Sequence, residues 1–190
     1  MSEGFVNTRL PNEDMLVEQA KTQDEAFGAL YDFYFPKIYK YILRRVGHRQ
    51  TAEDLISSTF MKAFTKLDTY KKGTGSFQAW LYRIATNNVI DHYRRAGKRQ
   101  EVDIEPMIHL ETNEPGPERH ASNAIDRENI EEVLGKLPDK DQEVLQLKFF
   151  AEFSNIEIAE ALGISVSNSG VRIYRALKKF ESIYKEYVKE

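Results

Sequence analysis

Apolar residues recur every three or four positions through most of the chain, which is the spacing of an amphipathic α-helix. The repeat is clearest over residues 51–67, where one helical face stays apolar for four turns. Similar patterns predict helices over 26–35, 38–45 and 77–95, and Pro36 predicts a kink or a break between the first two. No β-type alternation extends beyond a few residues. The pattern therefore predicts an all-α fold.

The C-terminal third has the sequence features of a helix-turn-helix. Capping-box spacing predicts helix starts at Asp139 and Ser154, and also at Thr51 in the first half of the chain. Gly163 stands where a left-handed residue would end the first helix of the motif, and Ser165 is placed to cap the second. These residues predict a short helix, a tight turn and a longer helix.

The last helix is predicted to have an apolar face and a basic face. Its predicted core positions are Val166, Gly170, Ile173, Leu177, Phe180 and Tyr184. Its predicted polar stripe is Asn168, Arg172, Arg175 and Lys179. A helix that enters the major groove needs short polar groups near its N-terminus for base edges and cations farther along for phosphates. The alternative is an ordinary helical hairpin with a solvated basic face.

Residues 101–124 divide the chain into two predicted domains, 1–100 and 125–190. The segment contains three of the six prolines and has no sustained helical or strand period, as expected of a linker. Fully extended, it would reach at most ~80 Å at ~3.3 Å per residue. The predicted architecture is two small helical domains on a tether.

Composition excludes several kinds of chemistry. The chain has no cysteine, so disulfides and thiolate metal sites are excluded, and four scattered histidines predict no metal or cofactor site. No apolar run approaches the ~18 residues that span a bilayer, and the first residues contain no apolar signal core. We therefore expect a cytoplasmic protein without membrane insertion.

The net charge of −3 hides a segregated charge distribution. Residues 66–100 contain eight basic and two acidic residues, whereas residues 101–132 contain ten acidic and two basic ones. In the basic segment, aromatic residues alternate with cations, a combination typical of single-stranded nucleic-acid binding. Phe77 is expected in the core, whereas Tyr70 and Trp80 are candidates either for the core or for stacking on bases. The loop that Tyr70 begins is expected to close around one extruded base.

Enzymatic function has little support in the sequence. Asp91 and His92 are adjacent, so on a helix they point ~100° apart and cannot form an acid–base pair on one substrate atom. The sequence has neither a phosphate-binding Walker loop nor a nucleophile elbow. We expect no catalytic residues.

Three segments together resemble a bacterial RNA polymerase sigma factor. AEDLISSTFMKAFTKLDTY resembles region 2.2, and GSFQAWLYRIATNNVIDHYRR resembles regions 2.3 and 2.4. The segment from LPDKDQEVLQL to VRIYRALKKF resembles region 4. The resemblance covers most of residues 12–186 and is to the extracytoplasmic-function group, which keeps only domains two and four. It implies promoter-specific initiation by two binding domains rather than catalysis.

The resemblance also implies a role for each surface. The clamp coiled coil of core RNA polymerase would contact Asp54, Ser57, Ser58 and Lys62. The minus-10 element would contact Tyr70, Lys72, Trp80, Asn87, Asp91, Arg94 and Arg95. Duplex DNA of the minus-35 element would contact Ser165, Ser167, Asn168, Arg172, Arg175 and Lys179. The polymerase flap and an anti-sigma factor are the other implied partners.

Some positions depart from the family pattern. Ser57 and Ser58 stand where Gln-Glu is common, and Ser169 stands where an apolar residue is usual. Gly170 replaces a larger residue, at a cost of roughly 1 kcal/mol in helix propensity, and close packing against a neighbouring helix would explain it. A conventional helix-turn-helix regulator that acts without polymerase is the alternative function. The sequence does not predict whether the free domains are apart or packed together.

Overall fold

The computed structural model describes residues 10–73, 75–97 and 129–188. Every regular element in these residues is helical, so the all-α prediction is confirmed. The first half contains α1 (Glu13–Ala20), α2 (Asp24–Val46), α3 (Arg49–Thr65), a 3-10 turn (Leu67–Thr69) and α4 (Phe77–Ala96). The second half contains α5 (129–135), α6 (Asp139–Phe149), α7 (Asn155–Leu162) and α8 (Val166–Tyr187). The predicted linker, residues 101–124, lies outside the described residues.

The first half packs its helices around α2. Tyr34, Ile38 and Ile42 lie on one face of α2 and are completely buried. The helix continues through Pro36, so the alternative of a break there is wrong. An interior proline costs a helix ~3 kcal/mol, whereas burial of one large apolar side chain contributes ~1.5–3 kcal/mol. Tyr34 and Ile38, on either side of Pro36, are both buried, so together they offset that cost.

Two of the three predicted helix starts differ in detail. The capping box at Ser154 is confirmed: its hydroxyl accepts from the Glu157 amide, and its own amide donates to the Glu157 carboxylate. By contrast, α3 begins earlier than Thr51, because the His48 side chain accepts from the Thr51 amide at 3.2 Å. At the start of α6, Pro138 is the N-cap and makes no side-chain bond.

The buried face of α8 differs from the predicted face. Ser169, Ile173 and Ala176 are buried, whereas Val166 is 48% and Leu177 is 37% exposed. Ser169 tolerates burial because its hydroxyl donates to the Asn155 carbonyl, at 2.8 Å, and to the Val166 carbonyl. A Cβ on Gly170 would make ordinary contact, at 3.6 Å, so close packing does not explain that glycine.

The two halves pack against each other, which answers a question that the sequence left open. The Tyr82 ring of α4 contacts the Phe153 ring, just before α7, with centroids 4.9 Å apart. Arg45 of α2 reaches across and donates to the Asp139 carbonyl of α6 at 2.7 Å. One hydrophobic cluster includes buried residues from both halves. The described structure is therefore a closed arrangement of the two halves.

Candidate nucleic-acid and polymerase interfaces

A polar groove between α3 and α4 brings two predicted surfaces together. Lys62, predicted to contact polymerase, lines it beside Asn87, Asp91 and Arg94, which were predicted to contact the minus-10 element. Arg94 and Asp91 form an ion pair of 3.0 Å, so part of the cationic charge is balanced within α4. The groove therefore joins cations, a carboxylate and an amide within reach of one bound strand.

Asn88 supports this groove and was not predicted from the sequence. Its side chain is buried, accepts from the Lys62 ammonium group and donates to the Thr59 hydroxyl at 2.9 Å. These two bonds connect the conformation of Lys62 in α3 to α4. An asparagine at an apolar position of the helical repeat is the sequence signal that could have identified it.

The loop before α4 has a buried aromatic base. The Tyr70 ring is 5% exposed, and its hydroxyl donates to the Gly75 carbonyl at 3.0 Å. Trp80 packs against Tyr70 and Phe77 with centroids 5.7 and 5.5 Å away, yet remains half-buried. In this conformation Tyr70 belongs to the core and its ring cannot stack on a base, whereas Trp80 keeps an accessible surface.

Carboxylates of α7 contact the same loop. The Ser76 amide donates to Glu160 at 3.3 Å, and the Ser76 hydroxyl, which caps α4, donates to Glu157 at 3.4 Å. A Cβ on Gly75 would lie 2.5 Å from the Glu160 carboxylate, so glycine permits this close approach. The amide at the start of α4, where an anion is electrostatically favoured, is thus occupied by acidic side chains.

The remaining predicted contacts around α4 are exposed. Lys72 pairs with Asp14 of α1 at 3.2 Å, and both side chains are more than half exposed. Arg95, in the last turn of α4, is also exposed. Both cations are accessible to phosphate, and the Lys72 pair is weak enough to be displaced because it is solvated.

The predicted contacts on α8 have different environments. Ser165 caps the helix by accepting from the Asn168 amide at 3.2 Å, while Ser167, Asn168 and Arg175 are exposed. Lys179 pairs with Asp141 of α6, and Arg172 is half-buried. The exposed members of the predicted stripe face away from the rest of the protein, whereas Arg172 and Lys179 lie closer to α6.

Two apolar residues on the outward face of α8 were not predicted from the sequence. Tyr174 is 64% and Val171 is 44% exposed, and they lie on the same face as Ser167 and Lys178. An exposed apolar contact suits the methyl group of thymine in the major groove. The one clue in the sequence was that neither residue fits the apolar repeat of the helix.

The predicted polymerase-binding side of α3 combines polar and apolar groups. Asp54 and Ser57 are exposed, and Ser58 is half-buried. One turn farther, Met61 is 64% exposed, and Phe64, which the sequence pattern placed on the apolar face, is 46% exposed. This surface therefore offers apolar area beside the polar groups named from the resemblance.

A buried electrostatic cluster lies where α2, α6 and α8 meet. Burial raises the pKa of the Glu143 carboxyl above its ordinary value, and the nearby Arg45 and Arg172 guanidinium groups partly oppose that rise. Burial also raises the pKa values of the Tyr41 and Tyr82 hydroxyls, which keeps both neutral at physiological pH. Arg45 thus provides positive charge from the first half to a buried acid in the second.

Both halves of the chain match family models. Residues 30–99 match the model described as sigma-70 region 2, and residues 127–180 match sigma-70, region 4. The chain belongs to the sigma-70 family. Region 2 of this sigma factor includes α3, α4 and most of α2, and region 4 includes the helix-turn-helix of α7 and α8.

Similar proteins place this sigma factor in the extracytoplasmic-function (ECF) group. It is 39% identical to RNA polymerase sigma factor YlaC of Bacillus subtilis, over 77% of this chain and 85% of YlaC. It is 34% identical to ECF RNA polymerase sigma factor SigW of the same organism, over 86% of this chain and 93% of SigW. The alignment with BldN of Streptomyces coelicolor, at 34% identity, spans only 62% of BldN.

Solved structures share the fold of this sigma factor. CnrH in complex with the cytosolic domain of CnrY matches 92% of this chain and 97% of its own, with a TM-score of 0.68 and 24% identity. RpoE of Bartonella quintana, in complex with the anti-sigma factor NepR, matches 84% of this chain and 96% of its own, with a TM-score of 0.65 and 23% identity. At these identities, the matches establish the fold.

Residues 10–73, 75–97 and 129–188 contain neither a membrane-spanning helix nor a cluster of metal ligands. No helix there is both long enough and apolar enough to cross a bilayer. The described side chains also include no group of three or more metal-ligating residues.

Proposed function

We propose that this sigma factor binds core RNA polymerase and directs it to promoters by contacting the minus-10 and minus-35 elements. The observation that carries the proposal is the match to region 2 and region 4 in one chain, in that order. The binding surfaces are in separate helical units, as contact with two separate DNA elements requires.

The groove of α3 and α4 binds the minus-10 element as an opened strand. Trp80, Asn87 and Arg94 provide an aromatic face, an amide and a cation on α4, with Asp91 between the last two. Cations hold the phosphates, and an exposed ring stacks on an unpaired base. Lys72 and Arg95 extend the cationic surface at the two ends of α4.

The outward face of α8 contacts the minus-35 element in the major groove. Ser167, Asn168 and Arg175 supply hydrogen bonds, and Tyr174 adds apolar contact to base edges. Arg172 and Lys179 flank that face and contact phosphate when their carboxylate neighbours in α6 are displaced. Ser165 positions the helix start through its cap.

The exposed side of α3 docks on the polymerase clamp. Asp54, Ser57 and Ser58 provide polar contacts, Lys62 a cation and Met61 apolar area. The flap of polymerase contacts the region 4 unit. An anti-sigma factor, the kind of protein bound to RpoE in its solved complex, is a further partner. The protein acts in the cytoplasm, where polymerase is found, and its role is binding rather than catalysis.

The closed arrangement must open for this function. Promoter elements two helical turns apart are separated by ~70 Å, at ~34–36 Å per turn. In the closed arrangement, however, Ser76 of α4 hydrogen-bonds to Glu160 of α7. One conformation cannot keep α4 in contact with α7 and also place the two DNA-binding surfaces at elements ~70 Å apart. Residues 101–124 are long enough, at ~80 Å fully extended, to allow the separation.

In vitro transcription tests the proposal. Genomic DNA is transcribed by core polymerase with and without the full chain, and start sites are mapped. We expect new starts that share two upstream elements and that require both components. Strong, symmetric binding to a duplex operator without polymerase, with no new starts, would instead indicate a conventional regulator.

A matched pair of variants tests the α8 surface. Arg175→Ala should weaken promoter binding by the holoenzyme by about 1–3 kcal/mol if the guanidinium contacts a base. Lys185→Ala, an exposed cation near the end of α8 that pairs with Glu181, is the control. Equal loss with unrelated promoters would assign Arg175 to phosphate contact only.

A further inference from the structure

The two lysines that line the α3–α4 groove have different environments. The groove is a cavity of about 490 Å³, and its lining includes Lys62, Lys66 and Asn88. Lys62 is half-buried, whereas Lys66, just after α3, is exposed. The Lys62 ammonium group donates to the side-chain carbonyl oxygen of Asn88, 26 positions later in the chain. One lysine of the groove is therefore bonded to α4, and the other is exposed to solvent.

A line of hydrogen bonds fixes the orientation of the Asn88 side chain. An ammonium group can only donate, so the carbonyl oxygen of Asn88 faces Lys62 and its amide nitrogen faces Thr59. That amide donates to the Thr59 hydroxyl at 2.9 Å, and the hydroxyl donates to the Leu55 carbonyl at 2.7 Å. Thr59 and Asn88 are 0% and 4% exposed. A flipped amide would bring its donors against the Lys62 ammonium group, so this orientation is the one that the neighbours accept.

The bond to Asn88 orients the Lys62 charge without neutralising it. An amide carbonyl has no net charge, and it accepts one of the three N–H donors of an ammonium group. Arg94 of the same groove, by contrast, is paired with the Asp91 carboxylate at 3.0 Å. Lys62 therefore retains its positive charge and further donors for a phosphate group.

A lysine that is already held in place binds a ligand at lower entropic cost. A long side chain loses rotamer freedom when it is immobilised, and that loss normally counts against binding. In this chain the bond to Asn88 restricts the Lys62 side chain before a strand arrives. Contact between Lys62 and a phosphate then requires little further ordering of the side chain.

We propose that Asn88 is a positioning residue, which holds the Lys62 ammonium group in the groove for contact with a phosphate of the opened minus-10 strand. This inference rests on the proposed minus-10 function of the groove and adds the residue that prepares the groove for the strand. Asn88 is buried and acts through Lys62 rather than by touching the strand. Docking on polymerase does not require the bond to break, because Asn88 accepts only one of the three Lys62 donors.

A double-mutant cycle on the strand affinity of the holoenzyme tests the proposal. The probe is a fluorescent single-stranded oligonucleotide with the minus-10 sequence of the mapped start sites, and the holoenzyme is assembled with saturating sigma factor. Lys62→Ala should weaken binding about tenfold by removing a charge-assisted contact, and Asn88→Leu about fivefold by releasing the lysine. The double variant should bind no more weakly than Lys62→Ala alone, because Asn88 acts through Lys62.

Lys66→Ala provides the matched control background. Lys66 lines the same groove and carries the same charge, but the Asn88 carbonyl oxygen accepts from Lys62. Asn88→Leu should therefore still weaken binding about fivefold when residue 66 is alanine. Equal effects of Asn88→Leu in the Lys62→Ala and Lys66→Ala backgrounds would overturn the proposal, because a purely structural role of Asn88 does not depend on which lysine is present.

A second substitution covers the case in which leucine disturbs the packing of α4, as judged by circular dichroism and urea unfolding. Asn88→Ser keeps a polar side chain that is too short to bond to Lys62, and its effect should also disappear in the Lys62→Ala background. Failure of the unmodified holoenzyme to bind the oligonucleotide would overturn the minus-10 function and this inference with it. Normal binding by the unmodified holoenzyme, with additive effects of the two substitutions, would overturn only the role of Asn88.

Discussion

Substitution of Arg45 by methionine should open the closed arrangement while both halves remain folded. Arg45 is 8% exposed and donates from α2 to the Asp139 carbonyl of α6 at 2.7 Å. A hydrogen bond from a charged donor contributes about 1.5–3 kcal/mol. Methionine retains the apolar stem of arginine but removes the bond and the charge that faces the buried Glu143.

The loss should be about 2–3 kcal/mol of docking free energy. The Arg45 Nε atom has no partner among the described residues, so removing the guanidinium also removes an unsatisfied donor and keeps the loss below the 3–5 kcal/mol typical of a broken buried ion pair. A loss of about 2 kcal/mol favours the open arrangement about thirtyfold, since about 1.4 kcal/mol corresponds to a factor of ten.

Energy transfer between two fluorophores measures the opening. The chain has no cysteine, so single cysteines introduced at the exposed positions Lys66 and Lys185 can be labelled specifically. Arg49→Met is the control, because Arg49 is exposed and pairs within α3, with Glu53 at 2.8 Å. Unchanged transfer in the Arg45 variant, with unchanged helical circular dichroism, would refute the reasoning.

Three further changes have definite expected outcomes. Because burial raises the pKa of Glu143, its contribution to stability is fully present below pH ~4.5 and is lost as the pH rises through the raised value. Glu143→Gln should therefore flatten the decline of stability above pH ~4.5, measured by urea unfolding, and an unchanged slope would contradict this. Ser154→Ala should lower unfolding free energy by about 1 kcal/mol by removing the capping box, with Ser182→Ala on the exposed face of α8 as control. Glu160→Ala should strengthen binding of a single-stranded minus-10 oligonucleotide by holoenzyme or free chain, because it removes the acceptor of the Ser76 amide, and unchanged affinity in both would argue against competition at this loop.

Local rules in the sequence predicted the turn of the helix-turn-helix correctly. The capping box at Ser154 and the left-handed Gly163, with φ of 64°, depend only on neighbouring residues and are found as predicted. The predicted start of α3 was wrong because a histidine side chain, His48, caps the helix instead of the expected threonine. Of the kink or break predicted at Pro36, the break was wrong, because burial of Tyr34 and Ile38 on either side outweighs the local cost.

The buried face of α8 shows the limit of periodicity alone. Small residues at Ser169 and Ala176 face the core, whereas the larger Val166 and Leu177 are exposed. The apolar repeat therefore selected Ile173 correctly but was wrong for Val166 and Leu177. The Ser169 hydroxyl is satisfied by a carbonyl fourteen positions earlier, Asn155, and no local pattern indicates that partner.

By itself, the sequence determined the helical class, the helix-turn-helix and the segregation of charge, because these depend on residue type and spacing along the chain. The tertiary structure decided which side chains are accessible and which halves meet. Ser76 and Glu160 lie 84 positions apart, and Arg45 and Asp139 lie 94 apart. Contacts at that separation are set by how helices pack, so the closed arrangement appears only in three dimensions.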